Sequence, residues 1–225
     1  MQNDYPFRRF IIKNSYLLII AAWFITISFI IDNYLSGNSS VAAVRNNIEN
    51  YIQKQEKDFE KLMQDTALIK KINDNKFDED QLKQLTGKKY FFYRYFVNDI
   101  GLHQLIFWNT QTVLPSSGLL SSFNHSGFIE LENGFYAWRK VSSPGSISVA
   151  LIPVKWNYFV TNTYLRNSFV IGKDLENNYD ISTQPNNPSV QSIDGNRLFY
   201  LAEKPNSIIQ KNNQAAIWFR ILAAI

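Results

Sequence analysis

The chain has 225 residues, with 23 basic and 19 acidic side chains and 45% hydrophobic residues. It has no cysteine, which excludes a disulfide framework, Cys-ligated zinc and a thiol nucleophile. A charged fraction of 19% with 15% aromatics excludes a disordered charged tail, and a formal charge of +4 is too small alone to argue for nucleic acid.

The apolar residues are segregated. Ser15 to Ile31 is a run of seventeen residues without a charge. About 20 residues span a hydrocarbon core, so a transmembrane helix is expected over 14–35, with Tyr16 and Tyr34 near its two interfaces. Arg8, Arg9 and Lys13 precede the run and Asp32 follows it. The positive-inside rule then makes 1–13 a cytoplasmic tail and places 36–214 outside the membrane. A cleaved signal peptide is disfavoured, because the small-residue match Val41-Ala42-Ala43 lies well beyond the apolar run. Residues 215–225 are apolar apart from Arg220 and too short to cross a bilayer. They read either as a surface helix or, preferably, as the start of a second, truncated span. The charge follows this layout, since residues 32–214 carry 19 basic and 18 acidic side chains.

A long signalling helix is expected over 36–75. Ser39 or Ser40 would cap its start, and Lys70 and Lys71 suit its last turn. Val41, Val44, Ile48, Ile52, Phe59, Leu62 and Ile69 fall at spacings of three and four, with Gln55 and Thr66 in register. That stripe fits packing on the helix's own domain and also fits pairing with a second copy. A homodimer is the partner arrangement preferred.

From Lys88 the pattern becomes strand-like. Tyr90 to Val97, Leu102 to Asn109, Phe128 to Glu132, Phe135 to Arg139 and Ser146 to Val154 read as strands joined at Asn98–Gly101, Asn133-Gly134 and Pro144-Gly145. Residues 156–165 read as a short helix or turn, 172–189 as loop, and Val190 to Leu201 as a hairpin around Asp194-Gly195. Residues 110–127 are expected to wrap over one sheet face. The fold class is therefore α+β: a long N-terminal helix continuing from a transmembrane span, then an antiparallel sheet of about five strands with short helices. Residues 76–214 would form a sensor domain of PAS/Cache-like shape.

The segments IFWNT (106–110), ENGFYAWR (132–139) and VALIPVKWNYFVTNTYLRNSF (149–169) resemble the extracellular sensor region of membrane-bound histidine kinases common in Bacteroidetes. The resemblance covers roughly 85–205, and its departures are Phe135 in place of Trp and Thr161 to Thr163 in place of an Asn-Glu pair. It implies a parent protein in a bacterial inner membrane with 36–214 periplasmic, cytoplasmic phosphoacceptor and ATP-binding domains, a two-component system, and a cognate response regulator as partner. This segment itself would be non-catalytic. The same plan would suit a chemoreceptor or cyclic-nucleotide synthase, or a membrane-anchored envelope protein that binds another protein.

Chemistry-bearing motifs are sparse. His103 and His125 lack the spaced ligands of a metal site, no G-x-S-x-G elbow accompanies the serines around His125, and no Gly-rich phosphate loop appears. No catalytic residue, metal ligand or cofactor is assigned, and the bilayer, not nucleic acid, is the expected surface. A ligand site is proposed from aromatic walls around cations: Tyr93, Trp108, Tyr136 and Tyr158 with Arg139 and Lys155. It would suit a small anionic or sugar-like ligand. The alternative is that these aromatics, with Tyr95 and Trp138, form the core and the cations sit at its edge.

Overall fold

The structure, a computed structural model, describes residues 15–38, 40–185, 187–205 and 214–224. The expected cytoplasmic tail with Arg8, Arg9 and Lys13, as well as Ser39 and the side chains of Asp32 and Tyr34, lies outside the described residues. Two compact units form, Met1–Val44 with Ile208–Ile225 and Arg45–Ser207.

In the first unit, helix α1 (Ser15–Asn38) packs against the last helix, α7 (Gln214–Ala224). Ser28 Oγ donates to Ala216 O at 2.9 Å, and the Phe24 and Phe219 rings are 5.8 Å apart. Partners rise along α7 as they fall along α1, so the two helices are antiparallel. Their outer faces stay apolar and uncovered, with Ile19, Trp23, Phe29, Ile30 and Trp218 exposed. Among the described residues no helix is long and apolar enough to cross a membrane. The charge-free run 15–31 extends ~26 Å at 1.5 Å per residue, short of a ~30 Å hydrocarbon core. The part of the expected fold that has the long helix continue from a membrane span therefore lacks structural support. The α+β class stands.

The long helix is also shorter than expected. Helix α2 (Val41–Gln64) begins with Ser40 Oγ accepting from Ala43 N at 3.1 Å, and it stops at Asp65. Asp65 leaves the helical region and accepts from Leu68 N at 3.0 Å, capping a separate helix α3 (Thr66–Asn73). The break resets the register, so Leu68 is buried while Thr66 is exposed. Helix α4 (Glu79–Thr86), not anticipated, starts with a reciprocal capping box between Asp78 and Gln81.

Five strands form an antiparallel sheet in the order β2-β1-β5-β4-β3: β1 (Phe91–Val97), β2 (His103–Trp108), β3 (Ser126–Leu131), β4 (Gly134–Ser143) and β5 (Ser146–Trp156). A short sixth strand, β6 (Ser168–Phe169), pairs with β5. Gly134 is required by close approach, because a Cβ there would collide with the Lys155 carbonyl. Each face has its own cover. Phe59 of α2 packs on Tyr90 and Phe92, with ring centroids 5.9 Å from each. On the opposite face Tyr93, Tyr136, Trp138, Val149 and Leu151 meet Leu119 and Leu120 of the short helix α5 (Ser117–Ser121). The wrap over a sheet face expected of 110–127 is made by residues 110–125, since Ser126 and Gly127 open β3.

Asn109 joins three elements. Its Oδ1 accepts from Phe92 N at 2.8 Å, and its Nδ2 donates to Leu85 O and Tyr90 O at 3.0 and 3.1 Å. Replacing Asn109 by Ala is expected to cost about 2–3 kcal/mol in denaturation, because the partly buried Phe92 N, Tyr90 O and Leu85 O all lose this side chain together. A loss below about 0.5 kcal/mol would mean that water replaces the amide.

The second sheet corrects the reading of 172–189 as loop. After helix α6 (Leu175–Asn178), β7 (Tyr179–Ser182), β8 (Ser189–Gln191) and β9 (Arg197–Glu203) pair in the order β7-β9-β8, with Gly195 at φ 77° in the β8–β9 turn. Of residues 156–165, expected as a short helix or turn, Trp156 ends β5, and the irregular stretch 157–167 is held by Asn162 and Asn167, which accept from Tyr164 N and Tyr158 N at 2.8 and 2.7 Å.

Candidate functional site

The sequence-derived ligand residues do not converge. Tyr93 and Tyr136 lie fully buried in the core beneath α5. The Tyr93 hydroxyl donates to Val113 O, and the Tyr136 hydroxyl donates to Asn133 Oδ1 at 2.8 Å. Burial pushes both phenols well above the usual tyrosine range. Trp108 ends edge strand β2 and is 44% exposed. Tyr158 stacks on Trp156 with centroids 6.0 Å apart and borders a cleft of about 680 Å³ together with Arg166, Lys173 and Glu176. Of the six residues, only Tyr158 borders this cleft.

Arg139 and Lys155 are already neutralised within the protein. Lys155 Nζ lies 2.6 Å from Asp180 Oδ1 and 3.0 Å from Glu176 Oε2, over the Phe169 ring at 5.4 Å. Burial opposes ionisation of Asp180, but Lys155 outweighs it and holds that carboxyl below its ordinary range. Glu176 also receives Lys204 Nζ at 2.8 Å, which ties β5 to the segment after β9.

Arg139, in the fourth strand, belongs to a larger arrangement centred on α2. Its guanidinium pairs with both oxygens of Asp194 in the β8–β9 turn and with Glu60 of α2. Burial opposes its charge, but these two carboxylates raise its affinity for the proton, and Arg139 in turn holds Asp194 below the usual carboxylate range. One turn earlier on α2, Glu56 is fully buried. Its Oε2 accepts from Ile193 N at 2.8 Å while Oε1 has no hydrogen-bond partner. Burial pushes Glu56 up to about 7, against the opposing pull of Ile193 N–H and Arg139 and with added repulsion from Asp194 and Glu60.

These contacts extend a polar stripe along α2. Arg45 Nε donates to Ser189 O at 2.7 Å, Glu49 Oε2 accepts from Gln191 N at 2.8 Å, and Gln53 Nε2 donates to Gln191 O at 3.3 Å. Strand β8 lies at a sheet edge, and its outward backbone groups are satisfied by this helix rather than by another strand. The apolar stripe beside it, from Ile48 to Leu62, is buried. Sequence reading followed the apolar stripe and missed the polar one. The helical spacing of Arg45, Glu49, Glu56 and Glu60 was the available signal.

Among the described residues no cluster of His, Asp or Glu is placed to hold a metal ion. Ser116 and Ser122 cap local backbone, accepting from Leu119 N and Asn124 N. No family model matches the chain, and no curated protein or solved structure matches it.

Proposed function

We propose that this chain is the sensory and membrane-anchoring part of a receptor, in the first instance a two-component sensor histidine kinase with its catalytic core in other residues of the parent protein. The observation that carries the reading is the polar interface of α2. On one side α2 is fixed by its buried apolar stripe, and on the side of the second sheet it is held by hydrogen bonds and ion pairs, which can exchange one set of partners for another more readily than an interlocked apolar seam. The same helix follows α1 in the sequence, so chain continuity alone would link a change of its partners to the anchor. The charge-free run 15–31, the uncovered apolar faces of α1 and α7, and the sequence resemblance support membrane insertion. Tyr16 and flanking polar residues would lie at the interfaces and local bilayer thinning would absorb the short run. The PAS/Cache-like reading is supported by the five-stranded antiparallel sheet with a long helix on one face and a wrapping loop on the other. A homodimer, with its apolar α2 stripe already covered, would pair through surfaces other than that seam.

Two measurements test this. Alkaline phosphatase fused after residue 205 is expected to be active, and fused after residue 13 inactive; the opposite pattern would invert the topology. In membranes, a chimera carrying this chain ahead of a histidine kinase core is expected to change autophosphorylation at least several-fold when Glu56 is replaced by Gln. Unchanged phosphorylation, with a stable envelope partner recovered instead, would favour an anchored binding protein.

A further inference from the structure

Arg94 stands in the middle of the aromatic strand β1 and is 7% exposed. Its three hydrogen-bond acceptors are all neutral: Asn73 Oδ1 at 2.6 Å from Nε, Ser148 Oγ at 2.7 Å from Nη1, and Ser146 Oγ at 3.2 Å from Nη2. Every other buried cation among the described residues is compensated or saturated. Arg139 and Lys155 meet carboxylates, and the three protons of Lys140 Nζ meet the carbonyls of Leu119, Leu120 and Ser122. A guanidinium has five N–H groups, so Arg94 keeps a charge and two donors without a partner among the described residues. A buried charge in that state is costly unless a counterion reaches it.

A route for a counterion is present. Arg94 borders a cleft of about 640 Å³ between the α2–α3 junction and the sheet. Lys70 borders the same cleft and makes no ion pair among the described residues, and no carboxylate lines it. The remaining wall mixes Gln104 and Ser143 with the apolar Ile69, Phe96 and Ile106. We propose that this cleft binds a small organic carboxylate, its two oxygens on the free Arg94 donors, its charge shared with Lys70 and its body against Ile69, Phe96 and Ile106. A planar carboxylate matches a guanidinium fork bidentately, and the apolar wall favours an organic acid over inorganic phosphate. Asn73 of α3 holds the same guanidinium through Nε, so a carboxylate that draws Arg94 towards the cleft through its free donors would act on α3. The inference draws on the sensory reading only for the meaning of the signal; binding itself requires neither membrane nor kinase.

The test uses the full chain in detergent micelles, with benzoate, hexanoate, benzamide and inorganic phosphate as probes; the Arg94 Nε–Hε resonance is the readout in the native chain and in K70Q, and titration calorimetry reads the affinity of all three chains, R94Q included. Benzoate or hexanoate is expected to shift that resonance saturably, with benzamide at least tenfold weaker. R94Q is expected to weaken carboxylate binding at least tenfold. K70Q, at an exposed position away from the core, is expected to weaken it several-fold and protects the test if R94Q fails to fold. No saturable shift with either carboxylate, equal binding of benzamide, tighter binding of inorganic phosphate, or full affinity in K70Q and R94Q together would each overturn the proposal. Failure of the topology or kinase experiments leaves these readings unchanged, so the two ideas fail separately.

Discussion

Replacing Glu56 by Gln is expected to remove most of the pH dependence of stability between about pH 4.5 and 7. In the unfolded chain Glu56 loses its proton near 4.5, whereas in the fold burial holds it up to about 7. The raised folded value means that this contribution is fully present below pH 4.5 and is lost as pH rises through about 7. The shift corresponds to a loss on the order of 3 kcal/mol in the native chain. Gln reproduces the uncharged carboxyl, and its carbonyl can still accept from Ile193 N. The variant should therefore match the native chain near pH 4.5 and exceed its stability above pH 7. Urea denaturation of the full chain in detergent at both pH values provides the comparison, and parallel losses in the two proteins would remove Glu56 as the cause. Asp194 acts in the opposite sense, since Arg139 holds it below 3.8 and its contribution fades only in stronger acid. His125, whose charge also reaches Asp194, is exposed, and H125Q is expected to leave the Glu56 transition in place.

Replacing Arg139 by Ala is expected to be the most damaging single change to the α2 interface, at about 2–4 kcal/mol. The side chain is 9% exposed and balances Glu60 and Asp194, which are 33% and 41% exposed. Removing it leaves two carboxylates facing each other beside a third, Glu56, with no cation between them. Loss of one partner from a fully buried pair costs about 3–5 kcal/mol; partial exposure of both acids lets water screen part of that loss. The Glu56 transition should also move upward, because the nearest positive charge has gone. Carbon-13 titration of the Glu56 carboxyl in R139A reads this directly. A transition at the native position, with stability within about 0.5 kcal/mol of the native chain, would show that Arg139 contributes little.

Much of the fold was legible in local pattern. The Asn98–Gly101, Asn133-Gly134 and Pro144-Gly145 turns with period-two alternation placed β1, β2, β3 and β5 close to their observed bounds, because turn chemistry and pleat are local constraints, whereas β4 continues past the expected Arg139 to Ser143 through its pairing with β5. The Asp194-Gly195 hairpin was legible for the same reason. Strand β7 was not, since a four-residue segment flanked by Asn and Pro has too few residues for periodicity and exists through its pairing with β9. The break at Asp65 was hidden because Asp within a helical pattern reads equally as surface residue or cap, and only the path over the sheet selects the cap.

The candidate site divides in the same way. By itself the sequence determined the apolar run 15–31, the strand-rich core and the residue types available for recognition, all carried by composition and spacing. Which cations face acids and which do not was decided only by tertiary structure. Arg139, Lys155 and Arg94 look alike as single charges in aromatic strands. Asp194 and Glu60 reach Arg139 across 55 and 79 residues of chain, Asp180 reaches Lys155 across 25, and no carboxylate pairs with Arg94 among the described residues. Coulomb energy depends on distances set by packing rather than by sequence separation, so the uncompensated cation becomes visible only once the chain has folded around it.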